Sequence, residues 1–441
     1  MDPSPPLRFF APCPRGLEGV LAEELALLGA RGLHPVHAGV HCEGDRACGY
    51  RINLQSRIAS RVLCWVASGR YRSDDDVYRI ARRQDWPARF TVRQPIRVDL
   101  TARGGQARSI PFLTLRIKDG IVDAFREHCG ERPPVDTHNP EVRIFGHLDA
   151  RHLHLYLDWS GEALFKRGWR GQHDKGAAPL KENLAAGLLA LSGWTPQQAL
   201  ADLFCGSGTL LIEAAQRRCG IAAGGQRHFG FERLADFDAA LWQALKEEAA
   251  QQARTLTAQA SGLTPLLGMD IAAEEIARAR RNALRAGLPP ATIRWRQADA
   301  FLSDRSDFHP GTTAHQSTSL NSPADREPSG LIVSNPPYGE RMERPANMAL
   351  GRGLRDRWPG WILWILSQEE GLPGLWQMRT SRKIALMNGS LACHFLAFPL
   401  RAKVHSRIAG ESGLPEAPVH AQPGTGGDGG HIGTAAAHAE R

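Results

Sequence analysis

From about residue 199 onward, short apolar runs alternate with stretches whose apolar residues recur at helical spacing. ALADLF (199–204) runs into GTLLIEAA (208–215), and LLGMD (266–270) into EEIARARRNALRAG (274–287); TIRWRQADAF, LIVSNPPYG, WILWILS and CHFLAFPL follow. Strand patterns alternating with helix patterns predict a doubly wound α/β sheet with ligand sites at the carboxyl ends of its strands. The first third reads differently. RGLEGVLAEELALLGA (15–30) is one amphipathic helix, and RIKDGIVDAFREHCG (116–130) is a second, ended by Gly130 with Pro133-Pro134 beyond it. VRIFGHLDARHLHLYLDWSG (142–161) reads as two strands joined at Asp149-Ala150-Arg151, so an α+β module precedes the α/β one.

A basic, glycine-rich connector, LFKRGWRGQHDKGAAPLKENLAAGLLALSGW (164–194), leads into a helix whose expected apolar face is Leu184, Leu188 and Leu191. The expected organisation is an N-terminal segment (1–60), a basic α+β domain (61–165), a linker (166–176) and an α/β domain (177–405). The polar run at 303–330 is expected to be a mobile insertion, and 406–441 a disordered tail.

At 441 residues the chain is too long for one core, and 42% hydrophobic with 23% charged residues is an ordinary soluble composition. The start, MDPSPPLRFFAPCPRG, has no apolar h-region, and WILWIL, bounded by Pro359-Gly360, is far short of a membrane span. A cytoplasmic protein is therefore expected, with no membrane and no obligate protein partner. Eight cysteines lie scattered without a CxxC pair, which predicts reduced thiols and no metal. His152 and His154 alternate with leucines and read as one side of a strand. Charge is concentrated: Arg51 to Lys118 holds 15 Lys and Arg against 5 Asp and Glu, while the whole chain carries +8. A local excess of this kind points to a phosphate-backbone partner, with Arg82, Arg83 and Arg103 as candidate contacts; a solvated arginine-rich surface is the plainer reading.

In ADLFCGSGTLLIEAA (201–215) a strand passes through Gly206-Ser207-Gly208 into a helix, so backbone N–H groups face a ligand. A dinucleotide site needs a third glycine where Leu211 stands and an acid about twenty residues on, whereas the next strand-end acid is Asp270. An adenosine bearing a sulfonium amino acid fits better. Asp202 would take its ammonium group, Asp270 both ribose hydroxyls and Asp299 the adenine amine, although each acid alone would serve equally as a helix N-cap. In LIVSNPPYGERM (331–342) two consecutive prolines remove two donors and end the strand, and Asn335 is held extended before them. Such a stiff rim suits a planar, amine-bearing group; a rigid strand exit is the alternative.

The order DLFCGSGT, GMD, ADAF, SNPPYGER resembles class I S-adenosylmethionine-dependent methyltransferases that modify exocyclic amines. With RGLEGVL, KDGIVDAF, LDWSG, KRGWR and APLKENLAA, the chain up to about residue 400 resembles the RlmL-type 23S ribosomal RNA guanine-N2 methyltransferases. The resemblance implies a Rossmann-like methyltransferase domain behind a ferredoxin-like segment and a THUMP RNA-binding domain at 61–165. It implies that Asp202, Cys205, Gly206 and Gly208 hold the methionine part of S-adenosyl-L-methionine, Asp270 the ribose and Asp299 the adenine. Asn335 and the Pro336 carbonyl would accept from the target amine, Pro337 would stiffen the corner, and Tyr338 would stack on a flipped base. The implied partner is 23S ribosomal RNA or a large-subunit precursor. A transfer RNA guanine and an inactive RNA-binding assembly protein are the rival readings. Some RlmL-type chains carry a second methyltransferase that makes 7-methylguanosine; only the first activity is implied here.

Overall fold

The computed structural model describes residues 6–103, 109–171, 174, 180–304, 306, 330–337 and 344–401. The tail at 406–441, Tyr338 and nearly all of 303–330 lie outside the described residues.

The first part runs β1 (Leu7–Pro12), α1 (Glu18–Leu27), β2 (Arg31–Val36), β3 (Gly39–Gly44), α2 (Arg46–Gln55), β4 (Leu63–Arg70), α3 (Asp74–Arg82), β5 (Ile96–Ala102), α4 (Ile110–Cys129), β6 (Val142–Leu148) and β7 (His152–Asp158). Its strands form one seven-stranded sheet, ordered β2-β3-β1-β4-β7-β6-β5. Alternation sets its two faces: Phe9, Val40, Cys42, Cys64, Ile144, Leu153 and Leu155 enter the core. The helix expected from residue 116 begins earlier, at Ile110. Ser109 accepts from the Phe112 N–H at its start, and Gly130 ends it in the left-handed region at φ 74°.

The second part contains α5 (Glu182–Leu191), β8 (Leu200–Asp202), α6 (Thr209–Arg218), α7 (Ala239–Ala260), β9 (Leu266–Asp270), α8 (Ala273–Arg285), β10 (Ile293–Gln297), β11 (Leu331–Ser334), α9 (Arg344–Arg357), β12 (Ile362–Ser367), α10 (Leu372–Trp376), β13 (Arg382–Asn388) and β14 (Leu391–Pro399). Its sheet is ordered β10-β9-β8-β11-β12-β14-β13; the first five strands run parallel and the last two form an antiparallel hairpin. The chain reverses direction across the sheet between β8 and β11, the place where such sheets bind ligands.

Helix α5 departs from expectation. Leu184 and Leu188 are buried and Leu191 half-buried, but Glu182, Asn183, Ala185, Ala186, Gly187 and Leu189 are buried as well. The helix is sandwiched: a Cβ at Gly187 would meet Leu17 of the first part at 2.3 Å. The contact continues through charge. Glu213 of α6 is fully buried and accepts from Arg57 at 3.2 Å and Arg167 at 3.1 Å, so one carboxylate ties the first part and the connector to the second.

Candidate active site

Four adjacent strands end at one edge. β10, β9, β8 and β11 deliver Asp299, Asp270, Asp202 and Asn335 there, because Asp202 and Asp270 close their strands, Asn335 follows β11 directly and Asp299 lies two residues past β10, in a sheet ordered in that sequence. Asp202 is buried, and its Oδ1 accepts from the Phe204 N–H at 3.1 Å and the Ser334 hydroxyl at 2.8 Å. Among the described residues both bonds fall on Oδ1, which leaves Oδ2 for a ligand. Burial above all, with a smaller push from the neighbouring Asp270 charge and against the two hydrogen bonds, raises the Asp202 carboxyl to about 7. Asp270 is half-buried; one oxygen accepts from the Gly206 N–H at 3.0 Å and the other from the Ala272 N–H at 2.9 Å. Asp299 is half-buried and accepts from the Phe301 N–H at 2.8 Å through Oδ1.

The glycine bend between β8 and α6 is held from several sides. Cys205 donates its N–H to the Met269 carbonyl at 2.8 Å, and Gly208 donates to the Cys205 carbonyl at 2.8 Å. Burial pushes the Cys205 thiol well above its ordinary value, so it packs rather than reacts. Gly206 (φ 48°) and Gly208 (φ 84°) are left-handed, but their surroundings differ. A Cβ at Gly208 would stand 2.7 Å from the Trp295 ring, whereas one at Gly206 would meet nothing within 4 Å. One glycine permits packing, and the other faces open space where a ligand can approach the backbone.

Three supports were not singled out as site residues from sequence. Ser334, the residue before Asn335, donates to Asp202 and accepts from the Leu203 N–H at 3.0 Å, which locks β11 against the end of β8. Arg170, in the KRGWR stretch, donates to Thr209 at 2.7 Å, Ser207 at 3.4 Å and Glu182 at 2.9 Å, pinning the bend to α5. Asn282 of α8 donates to the Ser207 carbonyl at 3.1 Å. Both Ser334 and Arg170 stand inside conspicuous motifs, but partners 132 and 39 positions away are invisible to local pattern.

Asn335 and Pro336 are half-buried and Pro337 is exposed at the same edge. Arg82, Arg83 and Arg103 lie in the first part. Arg82 pairs with Glu127 on α4, while Arg83 and Arg103 are exposed. The arginine excess is partly structural: Arg57 grips Glu213, Arg61 pairs with the buried Asp158, and Arg79 and Arg116 engage the acids of the first turn of α3.

A doubly wound sheet with a glycine bend, three strand-end acids and an Asn-Pro-Pro exit at adjoining strands defines a class I methyltransferase domain, here behind an α+β module. The chain belongs to the RMKL-like methyltransferase family, whose domain model matches residues 167–397. The RlmL ferredoxin-like domain matches 8–63 and the THUMP domain 71–158. The chain is 38% identical over 421 residues to the ribosomal RNA large subunit methyltransferase K/L of Chromohalobacter salexigens, covering 93% of this chain and 54% of the relative. It therefore spans about half the length of the curated relatives it matches. Among solved structures, a possible methylase from Clostridium difficile superposes with a TM-score of 0.76 at 26% identity, covering 90% of this chain and 98% of that one. A putative methyltransferase complexed with SAH superposes at 0.74 and 26% identity, with 90% and 99% covered.

Proposed function

We propose that this chain methylates the exocyclic N2 amine of a guanine in 23S ribosomal RNA, in the cytoplasm, with S-adenosyl-L-methionine as donor. The observation that carries the reading is the run of Asp299, Asp270, Asp202 and Asn335 along four adjoining strand ends. The ribosomal substrate is supported by relatives named ribosomal RNA large subunit methyltransferase K/L and by the THUMP domain.

The residues present fit that cofactor. Oδ2 of the buried Asp202 is available to an ammonium group, the half-buried Asp270 to two vicinal hydroxyls and Asp299 to an aromatic amine, while the open side of Gly206 admits the chain between them. When bound, S-adenosylmethionine supplies an electrophilic methyl group on a sulfonium. The protein's own task is placement. A guanine amine has its lone pair delocalised into the ring; the Asn335 carbonyl and the Pro336 carbonyl each accept one N–H, which turns that lone pair toward the glycine bend. Pro336 and Pro337 hold the two acceptors rigid, and Tyr338 is proposed to stack on the base. Transfer would exchange the methyl–sulfur bond for a methyl–nitrogen bond and leave a neutral thioether, and the nitrogen's surplus proton would be lost to solvent past the half-buried Asn335 and Pro336. In-line positioning of this kind accounts for about 7 kcal/mol or more of barrier lowering in favourable systems.

Labelled S-adenosylmethionine offered with unmodified 23S RNA and with transfer RNA tests the reading. N2-methylguanosine in the 23S RNA is expected; label found in transfer RNA alone overturns the ribosomal substrate, and label in neither overturns the activity.

A further inference from the structure

The first sheet has a second face that the function above does not use. Strand alternation places Phe9, Cys64, Ile144 and Leu155 in the core, and their neighbours of opposite parity on the other side: Arg8 and Phe10 on β1, His41 on β3, Trp65 on β4, Tyr156 and His154 on β7, Phe145 and His147 on β6. The pairings make this a continuous carpet, because Trp65 stands opposite Tyr156, Tyr156 opposite Phe145, and His154 opposite His147. Phe10 lies 4.8 Å from the His41 ring and 6.2 Å from that of Tyr156. The Arg8 guanidinium lies flat over Trp65, 3.4 Å from the ring centroid. Arg8 and His41 are exposed, and Phe10, Trp65, Phe145, His147 and His154 half-exposed. A cavity of about 290 Å³ opens here, lined by Arg8, His41, Trp65, Ser68, His154 and Tyr156.

An aromatic row on an uncovered sheet has two ordinary fates: a helix packs on it, or flat π-systems do. Here the row is interspersed with histidines and with Arg8 and, further along β4, the exposed Arg70; the acids beside it are Glu43 of β3, Asp99 of β5, which pairs with Arg97, and Asp149, which bonds His154. A greasy helix would bury the Arg8 and Arg70 cations without partners of its own, whereas His154 and His147 already bond Asp149 at 3.3 Å and Thr101 at 3.0 Å. Nucleobases would stack on the rings while their phosphates meet the arginines.

We propose that this face, which spans the strands of both the ferredoxin-like and THUMP segments, is a stacking platform for unpaired bases of a single-stranded RNA segment. The inference rests on the reading that the chain acts on RNA. It assigns sequence-tolerant base stacking to Phe10, Phe145 and His41 and to Trp65 with the Arg8 guanidinium layered on it, and phosphate contact to the N–H edge of Arg8, while the target base is handled separately at Asn335. A platform of this kind selects unpaired over duplex RNA, because duplex bases offer no free face.

The test uses the full chain and a short fluorescein-labelled RNA of mixed sequence, single-stranded and annealed to its complement. Single strands are expected to bind more tightly than the duplex. Trp65→Leu should weaken single-strand binding roughly 10-fold or more with its salt dependence unchanged, and Trp65→Phe should restore most of it. Arg8→Ala should instead lower the salt slope by about one phosphate contact. Ultraviolet crosslinking of the unaltered chain guards against a misfolded variant, with adducts expected on β1, β3, β4, β6 and β7. Adducts confined to other regions, duplex preferred over single strand, or single-strand affinity unmoved in Trp65→Leu would each overturn the platform; a protein or second copy as the true occupant would show itself in that way. If the unaltered chain still transfers label to 23S RNA in any of those cases, the platform alone has failed and the functional reading stands.

Discussion

Asp202 combines two demands that oppose each other: it is buried at the end of β8, and the ammonium partner proposed for it needs it ionised. In the folded chain its carboxyl is pushed up to about 7 from 3.8. Folded protein therefore keeps a proton that unfolded chain releases, and this group's contribution to stability falls as pH rises from about 4 through 7. Ligand binding reverses the sign. An ammonium group on Asp202 displaces that proton, so affinity for S-adenosylmethionine should climb with pH up to about tenfold per unit below 7 and level off above it. Calorimetric titration across that range checks it, and Asp202→Asn should give weak binding with no such slope. A flat profile in the unaltered chain contradicts the assignment. The strand-end acids were legible because an acid closing an apolar run stands out by pattern alone. Ser334 was not, because a serine earns notice only from its bond to Asp202, which exists only once β11 and β8 are neighbours.

The glycine bend separates packing from ligand approach at the scale of one element. Gly208→Ala forces a left-handed alanine into Trp295 and Ala279, which should cost about 2–4 kcal/mol of stability and lower Tm clearly. Gly206→Ala faces open space, so it should cost only about 1–2 kcal/mol for the backbone while cofactor affinity collapses. Thermal melts beside cofactor titrations distinguish the two; equal damage to stability would mean that the space at Gly206 is not kept for a ligand. The same scale shows what pattern reading recovers. β9, β11, β12 and β14 announce themselves as dense apolar runs. α7 does not: only Trp242, Leu245 and Ala249 of its 22 residues are buried, too sparse a stripe to detect. β2 contains Pro35 and lies mostly exposed at a sheet edge, where strand propensity says little. α5 reads as amphipathic but is enclosed because two modules close on it, which is tertiary information.

Across the whole molecule, the module holding the ferredoxin-like and THUMP domains and the methyltransferase module meet at a buried charge. Glu213 compensates Arg57 from one side of the joint and Arg167 from the connector. Glu213→Ala strands two buried guanidiniums and should cost about 3–5 kcal/mol in denaturant unfolding; a loss below about 1 kcal/mol would show the joint to be held by apolar contact alone. Module order and the charge excess were legible in the chain, but the role of that excess was only partly so, since Arg57, Arg61 and Arg82 serve internal pairs. Exposed Arg83 and Arg103 are the better RNA probes: changing both to alanine should weaken 23S RNA binding and reduce its salt slope by about two phosphate contacts. An unchanged slope would make them solvated surface. On the proposed reading these modules jointly bring a guanine amine to the Asn335-Pro336 corner beside the acid-rimmed bend, and one comparison tests that most directly. In Asn335→Ala, the dissociation constant for S-adenosylmethionine and the single-turnover transfer rate to 23S RNA are measured on the same preparation. The account predicts binding within about twofold of the unaltered chain and a rate lower by about 100-fold or more; a rate that persists, or a cofactor affinity that falls with it, contradicts the account.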